Sequence, residues 1–257
     1  MAPPLTPALS PLKTMGRGGS EARYVLSESP DAFYARRLRE EIEGGEPELA
    51  MLGSLVGKGG VAVDIGANEG VYAYALSELG AAVHAFEANP TFAEFATRML
   101  GSRARVHQLA LSNETGQASF FIPLAEDSSE LHLAGNLKNS HSQFERQSVI
   151  KVEVRTLDSF ALANVQLVKV DVEGSELEVL EGARETILRD HPALLLELLS
   201  GTYEDPLAVT REVCEKYGYS AFVVDQGKRL DAATTIAGLN SNTTWGSGIA
   251  TRNVLFL

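Results

Sequence analysis

Two kinds of segment alternate along this chain. Short and almost wholly apolar runs, such as Val61–Ile65, are typical of strands that are buried on both faces of a sheet. Between them lie stretches with apolar residues at helical spacing, such as residues 70–79, which Gly80 ends. This alternation predicts a mostly parallel sheet with helices on both faces.

The same pattern places the individual elements. We expect strands at 61–65, 82–87, 106–111, 165–172, 192–199, 219–225 and 252–257, and helices at 70–79, 90–100, 157–162, 175–190 and 205–218. The last strand is expected to insert antiparallel between earlier ones. The predicted fold is therefore α/β, with a doubly wound, mostly parallel, seven-stranded Rossmann-like sheet.

Two regions fall outside this alternation. Residues 1–20 are rich in Pro, Gly and Ser and are predicted to be a disordered tail, whereas 21–57 are predicted to form a helical extension with helices at 31–43 and 48–56. The main domain is expected to span 58–257. Within it, strand-like runs at 116–123 and 148–157 predict a hairpin around a long polar loop, an insertion at about 117–155.

The junction after the first strand carries the first chemical signal. It reads Asp64-Ile-Gly66-Ala-Asn68-Glu69-Gly70, and in open α/β sheets ligands bind beyond the carboxyl ends of the strands. A dinucleotide pyrophosphate would need G-x-G-x-x-G, but Asn68 replaces the middle glycine. Asp64 and Glu69 also add negative charge. A cationic ligand fits better, and the junction predicts S-adenosylmethionine, with Asp64 and loop carbonyls on its amino group and loop N–H groups on its carboxylate.

A second carboxylate supports a nucleoside ligand. Glu87 ends the second predicted strand, where a carboxylate can accept hydrogen bonds from both hydroxyls of a ribose. The other predicted cofactor contacts follow the strand ends in the same way. The full predicted set is Asp64, Gly66, Ala67, Asn68, Gly70, Tyr72, Glu87, Asn89, Ala110, Ser112 and Asp171.

Several motifs together resemble a known family. In order they are VDIGANEGVYA (63–73), AFEANP (85–90), ALSNETG (110–116), LVKVDVEGSELEVLEGA (167–183), PALLLEL (192–198) and the terminal NVLFL. They resemble the FkbM-type methyltransferases over about residues 46–257, and the block at 167–183 is the most diagnostic. The resemblance implies O-methylation of a sugar, polyketide or related small molecule with S-adenosylmethionine as the donor.

Candidate catalytic groups lie at the later strand ends. A hydroxyl is a weak nucleophile, so a base would assist methyl transfer. Asp171 and Glu173 follow the fourth predicted strand, and Glu197 is a carboxylate within an apolar strand that should face the cleft or pair with a cation such as Lys169. His141 in the long loop is a rival base. The three acids could also bind a divalent metal, although three scattered acids in an acidic chain support this only weakly.

Composition and net charge limit the classes of partner that we expect this protein to bind. The 257-residue chain has a net charge of −12, which argues against binding to nucleic acid or to an anionic membrane surface. A single cysteine, no membrane-spanning apolar run and no signal-like N-terminus favour a cytoplasmic protein with a small-molecule or glycan acceptor and a possible homo-oligomeric state. Two alternatives stay open: an NAD-dependent oxidoreductase or epimerase, and a non-catalytic binding protein with a methyltransferase fold.

Overall fold

The computed structural model describes residues 28–123, 135–138, 147–239, 241–244 and 246–257. The predicted tail at 1–20 and the predicted base His141 lie outside these residues. The strands found in the described part of the chain are β1 (Val61–Ile65), β2 (Ala82–Phe86), β3 (Ala104–His107), β4 (Ala110–Leu111), β5 (Gly116–Pro123), β6 (Gln147–Arg155), β7 (Val165–Val170), β8 (Ala193–Glu197), β9 (Ala221–Asp225), β10 (Lys228–Asp231) and β11 (Asn253–Phe256).

The main sheet confirms the predicted fold class. Its strand order is β10-β9-β11-β8-β7-β1-β2-β3, and β8, β7, β1, β2 and β3 run parallel. The last strand, β11, is antiparallel to both of its neighbours, β8 and β9, as expected. The order reverses at β1, so the carboxyl ends of β1 and β7 border the crevice where such sheets bind ligands.

The strand count and one strand boundary were predicted wrongly. The sheet has eight strands, because β10 has the polar sequence KRLD with every residue exposed and therefore shows no apolar run. The strand predicted at 106–111 is divided between two sheets. β3 ends at His107 in the main sheet, and β4 pairs with β6 in a second sheet of order β4-β6-β5. β5 and β6 form the predicted antiparallel hairpin.

The helices in the described residues follow the predicted pattern with three differences. The α-helices are α1 (Pro30–Gly44), α2 (Val71–Glu78), α3 (Pro90–Leu100), α4 (Glu176–Gly182), α5 (Arg184–Asp190), α6 (Pro206–Tyr217) and α7 (Ala232–Ala237), and 3₁₀ segments lie at Pro47–Ser54, Gly101–Arg103 and Leu157–Phe160. The single helix expected at 175–190 is broken at Ala183, and the segment expected as a helix at 48–56 is 3₁₀. Helix α7 had no counterpart among the predicted elements.

Apolar cores lie on both faces of the sheet. Val63 and Ile65 of β1 pack in the cluster that includes α4 and α5, whereas Ala62 packs on the opposite face beside α2. The N-terminal helix α1 covers that second face, where Tyr34 stacks on Tyr74 with ring centroids 4.4 Å apart. This packing places the N-terminal segment beside the loop that follows β1. None of the helices in the described ranges has the length and apolar character needed to cross a membrane.

Candidate active site

The loop between β1 and α2 is a tight turn that packs directly against the end of β7. Gly66 and Gly70 have φ of 76° and 85°, and Asn68, a residue type that tolerates this conformation, has φ of 51°. A Cβ at Gly66 would lie 1.8 Å from the Asp171 carbonyl oxygen. Glycine is therefore required here because two strand ends meet.

The backbone amides of this loop are largely used within the protein. The N–H groups of Gly66 and Ala67 both donate to the Phe86 carbonyl, and that of Gly70 donates to the Ala67 carbonyl. The expectation that the loop as a whole presents unpaired donors to a ligand carboxylate was therefore wrong for these positions. The side-chain Oδ1 of Asn68 is buried and has no hydrogen-bond partner in the described structure. An unsatisfied buried oxygen at this turn fits a ligand that brings a donor, such as an amine or a hydroxyl.

Glu87 holds the ends of two loops together. Its Oε2 accepts from the Asn68 N–H and its Oε1 from the Asn89 N–H, both at 2.7 Å. Burial raises the pKa of Glu87 to about 7, although these two amides favour the charged form. Each carboxylate oxygen has further acceptor capacity, so these contacts leave room for ribose hydroxyls, and the ribose contact of Glu87 stays a prediction.

The remaining predicted cofactor residues differ in their placement. Asp64 is almost fully buried and accepts from the Ala73 N–H at 3.0 Å, and burial raises its pKa to about 6. Tyr72 is also buried, with its hydroxyl donating to Glu46. The Ser112 N–H donates to the Arg155 carbonyl and is therefore not a free donor for a cofactor. Asn89 caps α3, and Ala110 lies buried in β4. Direct cofactor contact by these residues stays a prediction.

Glu69 does not act as an unneutralised charge in the loop. Its Oε2 lies 2.9 Å from Arg37 Nε of helix α1, and the Tyr34 hydroxyl donates to its carbonyl. The N-terminal helix therefore both covers and neutralises the tip of the loop. The acidity expected at the crevice comes from Asp64 and Glu87 instead.

Three predicted acids meet at the carboxyl ends of β7 and β8. Asp171, Glu173 and Glu197 offer carboxylate oxygens that all lie within 4.8 Å of one another. Glu197 and Asp171 share a hydrogen bond, and burial together with the charge of Asp171 raises the pKa of Glu197 well above its usual range. The directions of the two pKa shifts favour the protonated form of Glu197 and the ionised form of Asp171.

Two cations face these acids. Lys169 Nζ lies 2.9 Å from Asp171 Oδ2, and Arg252 Nε lies 3.3 Å from Glu197 Oε1. Burial opposes ionisation of Asp171, but the Lys169 charge and the bond from Glu197 outweigh it and hold the pKa of Asp171 below its usual range. The suggested cation for Glu197 was Lys169. The structure gives that place to Arg252, which lies next to Glu197 because β11 pairs with β8.

The contacts of Lys169 and Arg252 indicate whether side-chain cations or a metal ion would balance the charge of the acids. A divalent metal would require the three carboxylates to turn their oxygens toward one cation. Lys169 and Arg252 already contact two of the three, so the residues fit an ion-pair cluster better than a metal site, and we propose no metal.

Glu173 sits at the tip of the loop between β7 and α4. It is a non-glycine residue with φ of 54°, a conformation that costs about 1 kcal/mol or more. Glu176 holds this loop by accepting from the N–H groups of Val172 and Gly174 and from the Tyr203 hydroxyl. Burial, followed by the charges of Asp171 and Glu176, raises the pKa of Glu173 to about 7. A carboxyl with such a pKa is suited to accept a proton near neutral pH.

The sequence analysis missed the contribution of the N-terminal segment. Glu46 and Glu48 are both buried, and they reach the residues around Arg252 and Asn253. Their only sequence signal is a pair of acids around Pro47 in a short segment before an apolar run. Such a signal does not distinguish buried from exposed acids.

Comparison with known proteins agrees with this geometry. Residues 64–221 match the methyltransferase FkbM domain, and this range holds both the glycine loop and the three acids. The chain belongs to the FkbM methyltransferase family.

The individual relatives share only a modest sequence identity with this chain. The chain is 30% identical over 144 residues to the 2-O-methyltransferase NoeI of Sinorhizobium fredii (strain NBRC 101917 / NGR234), and this match covers 50% of the chain and 59% of NoeI. The crystal structure of the methyltransferase FkbM from Methylobacillus flagellatus KT superposes with a TM-score of 0.51 at 18% identity, covering 89% of the chain and 50% of that protein. The chain thus spans between half and two thirds of each relative. The structural likeness supports the fold.

Proposed function

We propose that this protein transfers a methyl group from S-adenosylmethionine to a hydroxyl oxygen of a small-molecule or glycan acceptor. The observation that carries the proposal is the meeting of Asp171, Glu173 and Glu197 at the strand ends beside the loop that Glu87 holds. The name of the relative NoeI supports oxygen as the acceptor atom. Family membership favours this function over the alternative of an NAD-dependent oxidoreductase.

The residues that would hold the donor lie at the carboxyl ends of β1 and β2. Glu87 would accept the ribose hydroxyls, and the orphaned Asn68 Oδ1 would accept from a ligand donor. Asp64, buried beside Lys169, would add negative charge beneath the loop. When bound, S-adenosylmethionine supplies an electrophilic methyl group on a positively charged sulfur.

The three acids at the carboxyl ends of β7 and β8 would have different roles in methyl transfer. Glu173 would take the proton of the acceptor hydroxyl, because its pKa of about 7 leaves much of it unprotonated near neutral pH. Asp171 is held ionised by Lys169, and Glu197 keeps a proton, so neither is as well suited to this role. Asp171 and Glu197 would line the site beside Glu173, with Lys169 and Arg252 balancing their charge.

Two measurements test the function. Calorimetry should show S-adenosylmethionine binding, and transfer of a tritiated methyl group should appear with some member of a panel of methyl glycosides and simple phenols. Glu173→Gln should lower turnover by about 10²-fold or more and change the cofactor Kd by less than about threefold, because a general base acts on the chemical step.

The exposed Glu204→Gln is the matched control and should leave both values unchanged. Absence of cofactor binding at millimolar concentration would remove the proposal. Full turnover in Glu173→Gln would remove only the role of Glu173.

A further inference from the structure

A buried carboxylate from the N-terminal segment lies within reach of the proposed active site. Glu46 is 4% exposed and precedes the region that matches the FkbM domain. It accepts hydrogen bonds from the Tyr72 hydroxyl at 2.6 Å, from Arg252 Nη2 at 2.9 Å and from Asn253 Nδ2 at 2.5 Å. Three donors from two distant parts of the chain therefore converge on one side chain.

These contacts continue into the acid cluster. Arg252 Nε lies 3.3 Å from Glu197 Oε1, and Glu197 shares its hydrogen bond with Asp171. Asp171 pairs with Lys169, whose Nζ lies 4.9 Å from the centre of the Tyr72 ring. Tyr72 then donates back to Glu46. The contacts form a closed ring, whose members are Glu46, Arg252, Glu197, Asp171, Lys169 and Tyr72.

We infer that Glu46 is a positioning residue that acts through Arg252 to orient the carboxyl pair of Glu197 and Asp171. This inference rests on the proposed function for the meaning of that pair. It extends the functional part of the chain to two residues, Glu46 and Arg252, on either side of the matched region 64–221.

The geometry of arginine gives the physical reason. A guanidinium is a rigid planar fork, so fixing one nitrogen fixes the direction of the others. The Arg252 side chain is 32% exposed, and without Glu46 it could turn toward solvent. With Nη2 bound to Glu46, Nε is kept 3.3 Å from Glu197 Oε1 as an ion pair, and its N–H makes no hydrogen bond within the described residues. The positive charge beside the Glu197–Asp171 pair is thereby held in one place.

The charge environment of Glu197 is set by several elements. The charged and titratable groups around Glu197, Asp171 and the other ring members come from four parts of the chain. They are Asp64 from β1, Tyr72 from α2, Lys169 from β7, Asp171, Glu173 and Glu176 after β7, Arg252 before β11, and Glu46 and Glu48 from the N-terminal segment. Of these, Arg252 is the cation in direct contact with Glu197.

The direction in which the pKa of Glu197 changes distinguishes a positioning role of Glu46 from the simple loss of its charge. The whole chain, labelled with ¹³C at the Glu side-chain carboxyl, can be titrated by NMR, and the Glu197 resonance is identified by its loss in Glu197→Gln. Glu46→Gln removes a negative charge, which alone would lower the pKa of Glu197. If Glu46 positions Arg252, the same variant releases Arg252 and raises the pKa of Glu197 by about one unit.

The control and the second variant keep the test decisive. Glu43→Gln, an exposed acid on α1, should leave the Glu197 titration unchanged. Arg252→Lys keeps the charge but lacks the fork, so it should raise the pKa of Glu197 even where Glu46→Gln fails to fold. An unchanged or lowered pKa in folded Glu46→Gln, or an unchanged one in Arg252→Lys, overturns the inference.

Calorimetry on the same samples separates this inference from the proposed function. A wild-type protein that binds no S-adenosylmethionine removes the proposed function, whereas the NMR titration still tests the ring. A protein that binds the cofactor but shows no shift of Glu197 removes the inference alone.

Discussion

The two halves of the crevice hold their carboxylates in different ways. At the ends of β1 and β2, Asp64 and Glu87 accept from backbone N–H groups. At the ends of β7 and β8, Asp171 and Glu197 are matched by the side-chain cations Lys169 and Arg252. Backbone donors are fixed by the fold, whereas one of the two side-chain cations, Arg252, is itself held by Glu46 from a distant segment. The first half is therefore preorganised, whereas the geometry of the second half depends on a segment that is distant in the chain.

Removing the buried cation should have the largest effect. The side chain of Lys169 is only 3% exposed, so Lys169→Met leaves Asp171 without its nearest partner. We expect a loss of about 3–5 kcal/mol in the free energy of unfolding near pH 8, because the buried Asp64 loses the same cation and stays charged. The loss should shrink toward pH 5 as the acids take up protons.

Urea unfolding at both pH values measures this loss. Lys151→Met on β6, an exposed lysine bonded to Ser119, is the matched control and should cost little. A loss below about 1 kcal/mol for Lys169→Met would show that the cluster does not depend on its cation.

The junction between the two halves should be the next most sensitive point. Gly66→Ala places a Cβ 1.8 Å from the Asp171 carbonyl oxygen, so β1 and β7 would have to separate. We expect it to lower the free energy of unfolding by about 3 kcal/mol, from overpacking and from a positive φ.

Gly218→Ala isolates the overpacking. Its φ of 79° is close to the 76° of Gly66, but no atom lies within 4 Å of the added Cβ. Equal losses in the two variants, measured by denaturant unfolding, would contradict the close contact between the halves.

The smallest expected effect concerns the backbone-held carboxylate Glu87. Burial raises its pKa to about 7 from an ordinary 4.5, so between these values the folded protein keeps a proton that the unfolded chain has lost. The stability linked to Glu87 is therefore fully present below about pH 4.5 and is lost as the pH rises through about 7. Glu87→Gln never ionises, and relative to wild type its free energy of unfolding should gain about 1–2 kcal/mol between pH 5 and pH 8.

Cofactor binding is a second measurement on the Glu87→Gln variant. Near pH 8, Glu87→Gln should bind S-adenosylmethionine at least about tenfold more weakly than wild type, because a charged acceptor is lost. Near pH 5 the two proteins should be closer. Glu94→Gln, an exposed acid on α3, serves as the control for both measurements. Parallel pH profiles for Glu87→Gln and wild type would refute the assigned titration.

Local sequence determined the order of elements and the chemistry of the strand ends. The apolar runs at β1, β7 and β8 fixed a parallel sheet, because such strands must be covered on both faces. The glycines around Asn68 and the acids after β7 then fell at the carboxyl edge of the sheet. These two features follow from the hydrophobic periodicity and the residue spacing within single segments of the chain.

Only the tertiary structure decided which of these groups carry charge and what they contact. The strand KRLD of β10 shows no local apolar signal, since pairing across the fold selects it. Likewise, Glu46 meets Arg252 across 206 positions of the chain. Hydrophobic periodicity indicates whether a residue is buried. The partner of a buried charge depends on which distant segment covers it.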